Sequence, residues 1–92
     1  LPHWNPRLNP SLEVARPADI MPGTFERPGE DEPPWDALFG DGQWRHVRVL
    51  AWFALRRGGR AVQVEYFADG SGWIEEYAFD PERMRESDDC DG

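Results

Sequence analysis

The chain has 92 residues, a formal net charge of -8, nine prolines, five tryptophans and one cysteine. That length holds at most one small domain. A lone cysteine, Cys90, excludes an intrachain disulfide framework, and no apolar run approaches the roughly 20 residues of a helical membrane span.

Residues 1–34 hold eight of the nine prolines. Proline fixes φ, removes an N–H donor and biases its predecessor toward extended backbone. An acidic, extended or partly disordered segment is therefore expected here, with residues 26–34 as its flexible piece. Trp4, Leu8, Leu12, Val14, Ile20, Met21 and Phe25 punctuate it, and are expected to lie in grooves of the folded body or of a partner. Residues 35–43 follow as a short apolar turn. Trp35, Leu38 and Phe39 fall at i, i+3 and i+4 and would share one face of a helical turn that Gly40 ends. They form a candidate docking segment.

Residues 44–85 read as a β-meander. The first strand covers 44–55, with Val47, Val49, Ala51, Phe53 and Leu55 on one face and Trp44, His46, Arg48, Leu50 and Trp52 on the other. RRGG at 56–59 is a hairpin loop whose glycines supply positive φ. The second strand, 60–68, alternates cleanly: Val62, Val64 and Tyr66 face one way, Gln63 and Glu65 the other. A glycine-rich turn at 69–72 leads to a third strand, 73–79. There Trp73, Glu75, Tyr77 and Phe79 share one face, and Ile74, Glu76 and Ala78 the other. Asp80 as N-cap, Pro81 at the first helical position and Glu82 in the first turn predict a short helical turn over 80–85, with Met84 turned back onto the core. Residues 86–92 read as a disordered acidic tail.

The fold class expected is mainly β: a small SH3-like barrel or a curved three- to five-stranded antiparallel meander, with a short C-terminal helical turn and a proline-rich irregular N-terminal segment. Residues 44–85, by strand order, turn spacing and terminal turn, resemble part of an SH3-like or Tudor-like barrel. Such barrels usually carry five strands, so a missing strand is expected from residues 10–25 or from a short segment after Met84. The resemblance implies binding of peptides, methylated side chains or nucleic acid.

No catalytic, metal or cofactor pattern stands out. His3 and His46, with one distant cysteine, give no zinc spacing. Cys90 sits among Asp88, Asp89 and Asp91, which makes a poor nucleophile of it. Asp69, Glu75, Glu76 and Asp80 are acids of the kind found at strand ends and turns, and RRGG lacks the helix that follows a phosphate loop. All basic side chains are arginine; residues 44–85 carry +1, flanked by -5 over 1–43 and -4 over 86–92. A near-neutral body between acidic ends is not the footprint of a free nucleic-acid binder.

Aromatics and arginines on a curved sheet point to a binding surface, with Trp52, Trp73, Arg48, Arg57 and Tyr77 as its candidates. The function expected is a non-enzymatic protein-interaction module without a cofactor. One alternative is a nucleic-acid-associated protein using Arg45, Arg48, Arg56, Arg57 and Arg60. Another is an acidic inhibitor of a basic-surfaced enzyme, using Glu75 and Glu76. A cytoplasmic setting, no membrane partner, and a monomer or arm-swapped homodimer complete the expectation.

Overall fold

Five antiparallel strands form one unclosed sheet: β1 (Trp35–Leu38), β2 (Trp44–Ala54), β3 (Arg60–Ala68), β4 (Ser71–Ala78) and β5 (Met84–Glu86), in the order β4-β3-β2-β1-β5. The computed structural model describes residues 7–68 and 70–87; the expectations for His3, Trp4, Asp69 and Cys90 fall outside them. The β2–β3 hairpin turns on Gly58 and Gly59, at φ +100° and +86°, backbone that side chains with a Cβ rarely adopt.

One irregularity in β2 decides which side chains are core. Val49 stands opposite Val64 and Trp52 opposite Val62, with a register shift between Val49 and Ala51. The extra residue is a β-bulge, which inverts the face of everything beyond it. Trp52 therefore joins Val47 and Val49 on the inner face, with Val62, Val64 and Tyr66 of β3. Trp35, Trp52 and Phe79 pack edge-to-face there, with ring centroids 5.5–5.8 Å apart. Such pairs contribute beyond the area they bury.

The same bulge turns Ala51 and Phe53 to the outer face. The proline-rich segment covers them. Residues 13–15 run antiparallel to β4, with Val14 bridging Tyr77. A 3-10 turn at Pro17–Asp19 follows, and Met21 donates its N–H to Ala54 O at 2.8 Å. Ala15, Leu55 and Ala61, with Ile20, Phe53 and Ala78 against them, make a second small core on this outer side. Leu8 and Leu12 reach round into the main core.

Residues 26–34, expected to be flexible, are tied down. Glu26 and Trp52 exchange backbone N–H···O bonds of 2.9 Å in both directions. The Glu32 carboxylate accepts the indole N–H of Trp35 at 2.7 Å and of Trp52 at 3.1 Å.

Two local expectations are corrected. Trp35, Leu38 and Phe39 do not share the face of a helical turn, since residues 35–38 form β1, paired to β2 on one side and β5 on the other. A single isolated helical turn is marginal, whereas a strand between two others has its backbone paired on both edges. At the C-terminus, the Asp80 carboxylate accepts the Glu82 N–H at 2.9 Å as a cap would, and Asp80 O takes the N–H groups of Arg83 and Met84. No helix propagates: residues 81–83 are a turn, and buried Met84 opens β5. The strand expected after Met84 thus begins at Met84 itself. Glu86, assigned to the tail, lies in β5, and Ser87 donates its N–H to Pro34 O at 2.8 Å.

Candidate interaction surface

Residues directly opposite each other in a ladder point to the same side of a sheet. On the outer face this rule groups Arg85, Asp36 and His46 across β5, β1 and β2, and Arg48, Glu65 and Ile74 across β2, β3 and β4. Leu38 lies opposite Trp44, and Phe67 opposite Gly72. Phe67 is 77% exposed and Ile74 55%, large values for apolar side chains on neighbouring strands. Phe67 reclines over Gly72, where a Cβ would meet its ring at 3.3 Å. A groove of about 460 Å³ runs beside it, lined by His46, Arg48, Glu65, Tyr66 and Phe67. The outer face is thus covered by the N-terminal segment at one end and bare at the other.

The charges on the bare end are loosely held. Arg48 approaches Glu65 at 3.6 Å, with its own side chain three-quarters exposed. His46 Nδ1 lies 3.9 Å from Asp36. The Arg85 guanidinium stacks 4.0 Å above the half-buried Trp44 ring, a cation–π contact.

Of the residues predicted for a binding surface, Arg48 lies on this face, and Leu38 of the docking segment joins it. Trp52 does not: at 5% exposure it is core, because the bulge reverses its face. Tyr77 is buried at 8% exposure on the inner face. Trp73 is half-buried there, donating its indole N–H to Ala68 O at 3.1 Å beneath the Arg7 guanidinium at 3.9 Å. Arg57, at the hairpin tip, donates to Glu13 at 2.7 Å. That bond holds the Glu13 carboxyl below its ordinary range. Trp35 and Phe39 of the docking segment face the core, where Phe39 meets the Tyr66 ring edge-to-face at 5.4 Å.

Phe67 and Ile74 are the residues that the predicted surface omits. The signal for Phe67 was in the alternation, since it falls on the face of Gln63 and Glu65; the face that Ile74 shares with Glu76 does not stand out from the opposite one. Single exposed apolar side chains are ordinary, and it is the adjacency of these two on neighbouring strands that sets them apart.

Among the described residues, the candidate acids Glu75, Glu76 and Asp80 accept hydrogen bonds from neighbouring groups. Glu75 accepts the Tyr66 hydroxyl at 2.6 Å, the Tyr77 hydroxyl and the Arg7 guanidinium. Burial, and then the Tyr66 phenol, push the Tyr77 hydroxyl well above its ordinary range. Glu76 accepts from the Gln63 amide at 2.7 Å. Among the described residues no group of three or more His, Cys, Asp or Glu is placed to hold a metal ion. No helix among them is long and apolar enough to cross a membrane. Compared with known proteins, the chain matches no family model, no curated protein and no solved structure.

Proposed function

We propose that this chain is a non-enzymatic protein-interaction module whose partner docks on the bare end of the outer face, around Arg48, Phe67 and Ile74. One observation carries the reading: one sheet face is covered by the chain's own N-terminal segment at one end, and at the other Phe67 and Ile74 stand exposed side by side on adjacent strands; Val14, Met21 and Phe25 of the covering segment are exposed as well. Isolated exposed apolar residues are ordinary, but neighbours on adjacent strands, rimmed by exposed charged side chains, are the composition of a contact surface. Use of Glu75, Glu76 and Asp80 to hold neighbouring groups supports the non-enzymatic part. The likeness to SH3-like modules belongs to the same proposal, supported by the bent β2 that pairs with β1 through its first half and β3 through its second. So does a cytoplasmic setting, supported by the single cysteine.

The nucleic-acid alternative draws little support from the charge balance, -8 for the whole chain, and four of its five arginines are engaged within the chain while Arg48 is held only loosely. Arg45 pairs with Asp41, Arg48 with Glu65 and Arg57 with Glu13. Arg56 donates to Ala18 O, and Arg60 lies 4.1 Å above Trp52. The acidic-inhibitor alternative is weakened likewise, since Glu75 is turned inward among tyrosines.

Affinity capture from nuclease-treated lysate of the source cells tests the proposal, with Phe67→Ser and Arg48→Glu beside the natural chain. A stoichiometric protein lost with either variant, at unchanged circular dichroism, supports it. A partner retained at full yield by both variants, or capture that needs nucleic acid, rejects it.

A further inference from the structure

The arm that covers β4 stops short of the strand's end, and the reason is in the sequence. Ala78 donates its N–H to Glu13 O at 2.8 Å, and Ala15 donates its N–H to Glu76 O at 3.0 Å. Even-numbered residues of β4 therefore aim their backbone groups at the outer edge. In the register that sets Val14 opposite Tyr77, the next arm residue due to bond this edge is residue 17, opposite Ile74. That residue is Pro17, which has no N–H and opens the 3-10 turn. The arm departs, and among the described residues the backbone N–H and C=O of Ile74 have no neighbouring strand.

Open edges are usually blunted by charge, proline or a bulge. At Gly72 and the exposed Ile74 this edge carries none of these, and Phe67 lies over Gly72. The nearest charges on this face are Glu65, which stands opposite Ile74 and is shared with Arg48 at 3.6 Å, and Glu76, two residues on; the whole chain carries -8.

We propose that the edge of β4 at Gly72 and Ile74 takes an extended segment of a partner protein as an added strand, one combining apolar side chains for Ile74 and Phe67 with basic ones for Glu65 and Glu76. This deepens the function proposed above, and rests on that reading of the outer face as a contact surface. Backbone hydrogen bonds supply the affinity in strand addition, and the alternating side chains the choice of partner.

The test is a titration of the full, nitrogen-15-labelled chain with the capped peptide Thr-Lys-Thr-Val-Thr-Lys-Thr, whose lysines and valine share one face of a strand, read by amide exchange. Saturating peptide slows exchange of the Ile74 N–H by about tenfold or more, the equivalent of one hydrogen bond formed. The counterpart with glutamate in place of lysine leaves it unchanged. Ile74→Pro removes the outward donor without touching the β3 ladder, a place where an edge strand tolerates proline, and weakens binding by about tenfold. Should that variant misfold, Ile74→Lys, on an exposed side chain, repels the same peptide. Equal protection by both peptides, or none by either, overturns the proposal. A peptide that shifts Phe67 and Arg48 but leaves the Ile74 N–H unprotected also overturns strand addition, while the surface reading survives. Protection that grows with protein concentration alone overturns it in favour of a second copy of this chain.

Discussion

Trp52 and Val49 lie on the same face of β2 although they are three residues apart, because the bulge between Val49 and Ala51 adds a residue to one strand only. In a regular strand an odd spacing puts two side chains on opposite faces. This displacement puts Trp52 into the core, where it contacts Trp35 and Phe79. It also frees the outer face for the proline-rich segment at one end and for solvent at the other.

Trp52→Ala and Phe67→Ala should therefore separate cleanly. The first empties a buried indole site and costs about 3–5 kcal/mol, a large share of the stability of so small a domain. The second removes a mostly exposed ring and shifts unfolding by about 0.5 kcal/mol or less. Urea denaturation followed by circular dichroism measures both, and equal losses would refute the assignment of faces.

Glu32 holds two indoles with one carboxylate, Trp35 on Oε2 and Trp52 on Oε1. Glu32→Ala leaves both N–H groups without that acceptor, one of them on a buried ring, and should cost roughly 1–3 kcal/mol. Glu32→Gln keeps one acceptor oxygen and should fall between. Tryptophan emission should change with the first variant at urea concentrations where the fold persists. An Ala variant as stable as the natural chain, with unchanged emission, would show that the carboxylate is not what fixes residues 26–34.

Alkali should destabilise the fold through Tyr77. Burial, followed by the Tyr66 phenol, raises its hydroxyl above the ordinary 10.0. The folded chain then holds this proton more tightly than the unfolded chain, so its contribution is complete below pH 10 and declines as pH rises beyond it. Ultraviolet titration of the native chain should show a phenol that ionises later than in the unfolded chain. In Tyr77→Phe the stability loss as pH rises above about 10 should shrink. Identical native and unfolded phenol titrations would exclude the effect.

Acid acts at the β4–β5 turn. The Glu82 N–H, and then the Arg83 guanidinium, hold the Asp80 carboxyl below its ordinary 3.8. A depressed carboxyl contributes stability above the unfolded value, lost as pH falls through the folded one. Asp80→Asn should therefore lower stability at neutral pH while nearly matching the natural chain near pH 2, with a difference well under 1 kcal/mol at so exposed a site. A gap that stays constant across that range would assign the effect to geometry rather than charge.

The sequence by itself determined β2, β3 and β4 to within two residues, along with the two glycine turns between them. Alternation of apolar and polar residues and the conformational freedom of glycine are local properties, and they act the same way in any chain. Phe67 falls on the polar face of the second strand, but the exposed face of the third, and with it Ile74, was not legible, because both of its faces mix apolar side chains with a glutamate. Tertiary structure decided the rest. The β1 segment has the spacing of a helical turn, and became a strand because β2 and β5 offered it partners on both edges. The cap at Asp80 began a turn that could not lengthen, because Met84 and its neighbours pair with β1 instead. Trp52 changed face through one unpaired residue, which no periodicity records, since a bulge is defined by the strand opposite. The proline-rich segment has its place only against the sheet: its ladder to β4 covers Glu76 and Ala78 and stops before Ile74, where Pro17 would come next and has no N–H to give.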